Sequence, residues 1–587
     1  MTTKVVTLTV GPGIQRDGTL LASLSYIDGR WVRFQYGRPR KIAGYNASFL
    51  NASGVSRGMI MSSDNGLNYV ISGYNNGIQQ WTTDNDDAVG FGPTAITSPY
   101  TPSNNTLWQF DIGYDAYGTG NNNLIAHPGQ NLNDISSTVN TRPLVGPFTG
   151  TTLTNVGVFT ASGTTTSGSP NVTFAATNVA MGPGVSVSGT GIPANTKIVS
   201  ASLVASVWTV VLDHNATASG TVTLTFDNNI SVSGGVVMLF PYLFVYGNNG
   251  LIQNSSAGNF NNWTSADANA NNISSTKVVK GLPLRGGTTS PAGLFWTLDS
   301  VVRVTYAPQS VGASTLYWRY DLITQQSSIL SSQCVIEYDG IFYWAGTDRF
   351  LMYNGVVQEV ENTQNFNYFF DNLNYAQRQK VWVSKVPRWG EIWWFFPSGD
   401  STECNDAVIY NIREKCWYDA GQAMGARRSA GVFSEVFRRP IWAGWDQNTS
   451  GSYTLWQHEK GVNSIYTNQV NAIESYFETN VLGANLGLVG SPKDPGENLW
   501  TRIERVEPDF VQSGEMNLVV TGKGYADDVD QPSSPYSFTP STLKIDMKEQ
   551  RREMRLRFSS NVQNGDYFMG RVVLSVETGD VRGTGNP

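Results

Sequence analysis

The sequence is short of charge, and this shortage excludes several classes of protein. Lysine, arginine, aspartate and glutamate make up 14% of the 587 residues, against roughly 25% in ordinary soluble proteins. The formal net charge is −7, which argues against nucleic-acid binding as the main function, because such surfaces carry clustered lysine and arginine. Aromatic residues reach 12%, which excludes a largely disordered chain, since disordered chains are poor in aromatics.

Cysteine and histidine are also scarce. The three cysteines, Cys334, Cys404 and Cys416, are odd in number and scattered, so they suggest neither a disulfide framework nor a set of metal ligands. The three histidines lie far apart in the sequence, and neither an HExxH motif nor a glycine-rich phosphate loop is present. We therefore expect no metal site and no other cofactor, and assembly in a reducing cytoplasm.

Long apolar runs are absent as well. The most apolar stretch, residues 235–246, is shorter than the roughly 20 residues that a membrane-spanning helix needs. The first residues lack the apolar segment of a signal peptide. The sequence therefore predicts no membrane span and no export by the ordinary secretory route.

What the sequence has in abundance is glycine, with 60 residues, and tryptophan, with 17. These residues occur in a recurring pattern of a short aromatic strand, a turn rich in glycine, asparagine or aspartate, and a second strand. Copies occupy residues 69–81, 243–253, 294–304, 341–353, 392–417 and 441–456. The later copies start roughly 50 residues apart, a period typical of propeller blades. We predict an all-β fold whose body is a β-propeller of five or six blades, with a series of β-sandwiches as the alternative.

Residues 149–227 interrupt this pattern. The segment contains three charged residues, Lys197, Asp213 and Asp227, among many threonines, serines, glycines and valines. Residues 221–226 alternate strictly between polar and apolar, as a half-buried strand does. We predict a small inserted β-sandwich of Ig-like type, which serves either as a glycan-binding module or as a spacer. The other boundaries predicted are an N-terminal segment with the first blades at 1–148, the remaining blades at 228–463, and a C-terminal β region at 464–587.

One helix is predicted near residues 363–383. Four apolar side chains recur there at helical spacing, and a threonine precedes them as a potential N-cap. These residues are Thr363, Phe366, Phe369, Phe370 and Leu373. Because an aromatic stripe at this spacing usually packs into a core, we expect the helix to dock on the propeller or on a neighbouring subunit.

Two groups of arginines are the candidate contacts with subunits or partners. One lies near the N-terminus and the other in the C-terminal β region, where residues 554–558 alternate strictly as a strand, with residues 571–577 as its expected partner strand. The candidates are Arg33, Arg38, Arg40, Arg551, Arg552, Arg555 and Arg557. Binding of DNA phosphates is a second interpretation of these residues, and internal salt bridges on strand faces are a third.

Catalytic signals are weak. Ser56 lies in a GxSxG match at residues 54–58, but a nucleophile elbow needs a strand before the serine and a helix after it, whereas a strand-like run follows here. Asp84, Asp86 and Asp87 form an acidic turn that suits either Ca²⁺ or solvent, and residues 62–69 resemble one degenerate Asp-box turn. A pair of carboxylates for glycoside hydrolysis would be invisible in sequence. We expect a protein that is not an enzyme.

Three parts of the sequence resemble tail nozzle proteins of short-tailed bacteriophages, also called tail hub or packaged-DNA stabilisation proteins. They are residues 28–44 (DGRWVRFQYGRPRKIAG), residues 367–380 (NYFFDNLNYAQRQK), and the C-terminal runs 554–558 (MRLRF) and 565–570 (GDYFMG). The insertion at 149–227 departs from that family.

The resemblance implies a virion protein that assembles in the host cytoplasm as a hexameric tube below the portal and its adaptor. Such a nozzle extends the DNA channel, retains the packaged genome and conducts it at ejection. Tail fibres or a spike, and a tail needle or plug, would be further partners. An acidic chain suits this role because a negatively charged wall repels passing double-stranded DNA. The alternative function is a propeller lectin or a glycan-degrading enzyme that acts on host surface polysaccharide.

Overall fold

The chain forms two compact units, each described separately below. Unit 1 comprises Met1–Asn51 and Glu359–Pro587, and unit 2 comprises Ala52–Gln358. Strands make up 56% of the chain and helix 4%, which confirms the all-β prediction. The computed structural model describes residues 3–64, 66–75, 77–83, 91–100, 106–116, 122–132, 134–284, 290–312, 314–435, 437–448, 450–482, 500–523 and 528–578.

Besides the sheet of the inserted module, the described part of unit 2 contains five sheets, each of four strands in sequence order. Blade 1 has strands Ser56–Asp64, Leu67–Tyr74, Gly77–Thr83 and Phe91–Ile96; blade 2 has Thr106–Tyr114, Asn122–Asn131, Leu144–Pro147 and Thr154–Asn155; blade 3 has Gly235–Leu239, Tyr242–Tyr246, Leu251–Asn254 and Ala270–Asn272; blade 4 has Val278–Pro283, Ala292–Thr297, Val301–Val311 and Ser314–Thr324; blade 5 has Val335–Tyr338, Ile341–Ala345, Phe350–Tyr353 and Val357–Glu359.

Neighbouring blades of unit 2 meet through their first strands. The first strand of blade 1 contacts that of blade 2, which contacts that of blade 3, and blade 3 contacts blade 4 in the same way. The approach between blades 1 and 2 requires glycine, because a Cβ on Gly58 would lie 2.4 Å from the carbonyl oxygen of Trp108 and one on Gly73 would lie 2.3 Å from the Trp108 ring. Radial packing of four-stranded sheets is the architecture of a β-propeller, so the predicted body is confirmed.

Unit 1 contains two further blades. Blade 6 has strands Trp382–Val386, Glu391–Phe396, Asp406–Asn411 and Cys416–Asp419; blade 7 has Arg428–Val432, Ile441–Gly444 and Tyr453–His458 with Tyr45–Ala52 as its fourth strand, followed in the same sheet by Ser464–Tyr466 and Gln469–Asn471. The described residues thus include five blades in unit 2 and two in unit 1, whereas the sequence pattern marked five or six. Blade 2 was missed because its last two strands are four and two residues long, too short for a periodic signal.

Large aromatic side chains fill the spaces between blades. The rings of Phe244 and Phe295 lie 5.9 Å apart between blades 3 and 4. Trp296 and Trp344 lie 5.6 Å apart between blades 4 and 5, and both are fully buried. Each buried aromatic ring removes a large apolar area from water, which explains why the chain needs its many tryptophans.

The inserted module begins at Val158, nine residues later than predicted, because Thr154–Asn155 completes blade 2. Its six strands form one hydrogen-bonded sheet. They enclose an apolar core of their own, which includes Val172, Phe174 and Phe226. The strands, in chain order, are Val158–Thr165, Asn171–Phe174, Ser186–Gly189, Ile198–Val204, Val207–Leu212 and Gly220–Asp227. Val158 pairs with Asp227, so the module begins and ends at adjacent points.

The predicted helix is much shorter than 363–383. An α-helix spans Phe366–Asn372 with Asn365, rather than Thr363, at its N-cap. Leu373 is already extended, and a 3₁₀ helix at Tyr375–Lys380 leads into blade 6. The Phe369 ring lies 4.7 Å from that of Phe396 in blade 6, so the prediction that the helix docks on the propeller is confirmed. Short 3₁₀ turns also occur at Leu20–Ala22, Asn248–Gly250 and Met424–Ala426, and no described helix is long and apolar enough to span a membrane.

The C-terminal β region of unit 1 also includes N-terminal strands. One nine-stranded sheet contains Lys4–Thr7, Asp28–Arg30, Ser475–Glu478, Thr501–Glu507, Met516–Lys523, Gln531–Pro532, Tyr536–Phe538, Ile545–Ser560 and Val573–Thr578; a second sheet contains Val32–Gln35, Arg38–Lys41, Phe510–Ser513 and Asp566–Met569; and Gly11–Ile14 pairs with Ser25–Tyr26. Residues 554–558 form a strand as predicted. Their expected partner was wrong: Val573–Thr578 pairs with Lys4–Thr7 and Thr501–Glu507, because Ser475–Glu478 and Met516–Lys523 pair with that part of Ile545–Ser560.

Candidate functional site

The N-terminal arginines lie on a tight β-hairpin of unit 1. Its strands are Val32–Gln35 and Arg38–Lys41, and the turn between them places both central residues, Tyr36 and Gly37, in the left-handed region with φ of 52° and 72°. Both turn amides donate to the carboxylate of Glu414, at 2.8 and 2.9 Å. The turn is therefore fixed, and it holds the Tyr36 side chain 78% exposed to solvent.

Arg33 is not available as a contact residue, which corrects the prediction for this position. It is 1% exposed and forms ion pairs with Glu391 at 2.8 Å and Glu459 at 2.7 Å. Burial opposes its charge, but the two carboxylates outweigh burial and raise the pKa of Arg33. Arg33 is therefore an internal structural cation. This agrees with the third interpretation of the arginines, internal salt bridges.

The same hairpin contributes to a partly exposed arginine–aromatic cluster around Trp389. The guanidinium carbons of Arg40 and Arg388 lie 4.8 and 5.0 Å from the centroid of the Trp389 ring. Arg38 and Arg388 are exposed, and Arg40 and Trp389 are half-buried. We call Tyr36, Arg38, Arg40, Arg388 and Trp389 the Trp389 surface. Tyrosine, tryptophan and arginine are the residues most enriched where proteins bind each other.

Sequence reasoning found Arg38 and Arg40 but missed the other members of this surface. Arg388 and Trp389 lie in the turn between two strands of blade 6, more than 340 positions along the chain from the hairpin. The sequence signal for these two residues is an arginine–tryptophan pair in a tight turn. A bulky aromatic residue is unusual in turns, where small and polar residues dominate, and so indicates a contact surface.

The C-terminal arginines all lie on the strand Ile545–Ser560, in a different sheet from the hairpin. Arg555 is 5% exposed and pairs with Glu478 at 3.1 Å and Asp530 at 2.8 Å, so it too is an internal cation rather than a contact. The other three are half-buried: Arg551 forms an ion pair with Glu549, Arg552 lies over the ring of Trp500 and Arg557 over that of Tyr476. The seven predicted arginines therefore do not form one patch.

Unit 1 contains a buried carboxylate pair that the sequence did not reveal. Asp406 and Asp419 lie on blade 6 and are 0% exposed. Tyr368 donates its hydroxyl proton to Asp406 at 2.5 Å, and Arg16 pairs with Asp419 at 2.9 Å. Burial, followed by the charge of Asp419, raises the pKa of Asp406 to about 7. This network ties the N-terminal segment and the short helix to blade 6. Both of its carboxylates are fully buried, whereas a hydrolytic carboxylate pair must face a substrate and water.

The weaker motifs are structural where they are described. Ser56 begins a strand of blade 1 rather than a helix, it is 1% exposed, and its Oγ lies 2.5 Å from that of Ser72, which confirms the expectation that this match is not a nucleophile elbow. Asp84, Asp86 and Asp87 lie outside the described residues. Among the residues that are described, no three histidine, cysteine, aspartate or glutamate side chains are grouped as a metal site requires. The three cysteines are buried thiols.

Comparison with known proteins assigns no family to the chain. No protein-family description matches the sequence, and no curated protein matches it. Solved structures similar to it include the NanB sialidase from Streptococcus pneumoniae, at 10% identity over 70% of this chain and 69% of that one with a TM-score of 0.28. An exo-β-1,3-galactanase from Phanerochaete chrysosporium, at 10% identity, covers 91% of this chain and 99% of its own with a TM-score of 0.25. A Bombyx mori β-fructofuranosidase, at 9% identity, covers 91% and 93% with a TM-score of 0.21. TM-scores this low carry no argument about function.

Proposed function

We propose that this chain is the tail nozzle protein of a short-tailed bacteriophage. It assembles as a hexameric tube below portal and adaptor, extends the DNA channel, retains the packaged genome and conducts it at ejection. The adaptor, tail fibres or a spike, and a needle or plug are its partners in the virion tail.

One observation carries the proposal: the sequence segments that resemble nozzle proteins, although far apart in the chain, lie together in unit 1. The strand Asp28–Arg30 pairs with Ser475–Glu478, which in turn pairs with Ile545–Ser560. Arg40 pairs with Phe568 in the second sheet. The N-terminal and C-terminal segments therefore share two sheets of unit 1, as is expected if the resemblance reflects a shared fold rather than chance matches.

The helical segment of the resemblance belongs to the same unit. Asp17, from the N-terminal segment, accepts the backbone amides of Asn367 and Tyr368 at 2.7 and 3.0 Å. A carboxylate there satisfies amides that a helix start leaves unpaired. All three similar regions thus contact either each other or the N-terminal segment.

Two surfaces suit contacts between subunits or with partners. The first is the Trp389 surface. The second, in unit 2, is an arm formed by the distal part of the hairpin Val301–Val311 and Ser314–Thr324, where residues 307–312, 315 and 316 are exposed. Val311 and Leu316 are 55% and 51% exposed there, and residues 307–316 carry no charge. An isolated two-stranded hairpin is marginally stable in water, so a neighbouring surface would stabilise it.

Electron microscopy and native mass measurement of the purified full-length chain test the proposal. A six-membered ring or tube that binds its adaptor supports it. A monomer at all concentrations that releases sugars from bacterial surface polysaccharide would overturn it in favour of the glycan-degrading alternative.

A double substitution on the Trp389 surface sharpens the test. Arg38→Glu combined with Tyr36→Asn, which keeps a residue that tolerates the left-handed turn, should prevent assembly or adaptor binding while the monomer still folds. Lys197→Glu in the module, which departs from the nozzle family, is the matched control and should assemble normally. Equal assembly of both variants would exclude the Trp389 surface as a contact.

A further inference from the structure

A cavity of about 500 Å³ opens beside blade 7 in unit 1. Its wall combines aromatic rings, arginines and side-chain amides, among them Tyr45, Trp456, Tyr466, Arg428, Gln469 and Asn471. Neither the nozzle proposal nor any motif of the sequence accounts for it. Its volume is within the range of small-molecule sites.

Arg428 is the unusual group in this cavity. It is 3% exposed, and its guanidinium lies over the rings of Tyr45 at 4.9 Å and Trp456 at 5.2 Å. Its hydrogen bonds go to neutral acceptors: Nε donates to Nε2 of His458 at 2.9 Å, and Nη1 donates to the carbonyl oxygens of Met424 and Arg427. Its Nη2 has no acceptor.

The other buried arginines of unit 1 show what Arg428 lacks. Arg33 and Arg555 each contact two carboxylates. Arg428 forms no ion pair with any described residue, and burial lowers its pKa to about 10. His458 supplies no negative charge to Arg428: burial and the neighbouring Arg428 hold the pKa of this histidine well below its usual range, so the ring is a neutral acceptor. A buried cation without a counter-ion is costly, and here it borders a cavity.

The charges on the wall limit what the missing partner is. Arg427 lies 3.7 Å from Asp446, and Arg30 pairs with Glu474 at 2.9 Å. Three arginines therefore face two carboxylates, which leaves one positive charge in excess. The charge of Asp446 also acts on Arg428, but from beyond ion-pair distance. That balance suits a single carboxylate, which can accept charge-assisted hydrogen bonds from the unpaired Nη2 of Arg428, rather than a phosphate with two negative charges.

The rest of the wall suits a hydroxyl-rich ring. Trp456 and Tyr466 are half-buried, with ring centroids 6.1 Å apart, and offer flat apolar faces. Gln469 and Asn471 are exposed at the rim, and an amide side chain both donates and accepts hydrogen bonds, as adjacent hydroxyl groups require.

We propose that this cavity binds a carboxylate-bearing sugar, with the carboxylate on Arg428 and the sugar ring against Trp456 and Tyr466. The site is independent of the nozzle proposal, because it lies within one chain and requires no assembly. A phage component with such a site would bind acidic saccharides.

Calorimetric titration of the full-length chain with D-glucuronate and N-acetylneuraminate tests this, with glucose, acetate and inorganic phosphate as comparison probes. Binding of either acidic sugar at least 10-fold tighter than all three comparison probes supports the proposal. Binding of neither acidic sugar, or acetate or phosphate binding as well as they do, overturns it.

Two variants locate the site. Arg428→Gln should weaken binding of the acidic sugar by roughly 10- to 100-fold, since a hydrogen bond to a charged group is lost. Gln469→Ala, on an exposed rim position that leaves the core intact, should weaken binding several-fold and keeps the test valid if Arg428→Gln fails to fold. The control Arg349→Gln, at a half-buried position of unit 2, should bind as the parent does. If Gln469→Ala binds the acidic sugar as tightly as the parent, and a folded Arg428→Gln does so too, the sugar does not bind in this cavity. This conclusion holds whatever the outcome of the assembly experiments.

Discussion

Acidification should loosen blade 2, because His127 is held there in its neutral form. The backbone amide of Gly129 donates to its Nδ1 at 3.0 Å, so the ring proton is on Nε2, which lies 3.2 Å from the carbonyl oxygen of Val232 and 3.3 Å from that of Thr141. Protonation of Nδ1 would turn this acceptor into a second donor facing the Gly129 amide. His127 thus joins blade 2 to the chain that returns from the inserted module.

The size of the effect follows from the pKa of His127. Burial, with a smaller contribution from Lys277, lowers that pKa from 6.5 to about 4. Because the folded-state pKa is depressed, the stabilisation is complete above pH 6.5 and is lost as the pH falls towards 4. At pH 5 the loss is about 2 kcal/mol, since one pKa unit corresponds to about 1.4 kcal/mol.

Hydrogen exchange measures this locally. Protection of amides in Asn122–Asn131, corrected for the intrinsic rate, should fall roughly 30-fold between pH 7 and pH 5. His127→Asn, whose Oδ1 can still accept from Gly129, should be less protected at pH 7 but should lose the extra pH dependence. The module strand Val207–Leu212, which has a separate core, serves as an internal control. Parallel pH profiles for His127→Asn and the parent would refute the reasoning.

Three further predictions concern other parts of the chain. The module can be excised by joining Gly157 to Asn228, because the backbone O of Gly157 and N of Asn228 are already 3.0 Å apart. The unfolding temperature of the remaining chain, measured by circular dichroism, should stay within about 3 °C of the parent. A larger decrease in unfolding temperature would mean that contacts with the module stabilise the blades. Because the folded-state pKa of Asp406 is raised, the parent should lose stability as the pH rises from about 4 to about 7. Asp406→Asn has no titrating group at this position and should not show that loss. An unfolding midpoint that changes with pH as steeply in the variant as in the parent would contradict this. Val311→Ser with Leu316→Ser on the arm should change monomer stability by less than about 0.5 kcal/mol yet weaken assembly measured by light scattering, and unaltered assembly would exclude the arm as a contact.

The sequence predicted the strands and turns whose formation depends on neighbouring residues in the chain. Strands such as Ile341–Ala345 and Glu391–Phe396 carry enough apolar and aromatic residues to be recognised, and the tight turns between them supply the period. The helix near Phe369 was recognised from its spacing. Its end was not, because Leu373 leaves the helix to form a bridge with Ser398 in the chain that follows the second strand of blade 6, a contact that no local pattern encodes.

The sites were less predictable, because their charges are compensated over long distances in sequence. The local sequence predicts Arg33 as an exposed contact, because its partners, Glu391 and Glu459, lie 358 and 426 positions away. No sequence pattern marks Arg428, since its distinguishing feature is the lack of an ion-paired carboxylate in the folded chain. An arginine in a sequence therefore indicates a charge, and its surroundings decide whether that charge is a contact, a brace or a binding group.

The fourth strand of blade 7 has a consequence for synthesis. Tyr45–Ala52 is translated early, but the strands beside it, Tyr453–His458 and Ser464–Tyr466, emerge from the ribosome some four hundred residues later; Ser48 and Gln457, which are in contact, are 409 positions apart. Until then this strand has two unpaired edges, which are potential sites of aggregation. Closing so long a loop is entropically costly and slow. Completion of blade 7 should therefore be a late event in folding, and chains truncated before Tyr453 should accumulate with an open edge that recruits chaperones.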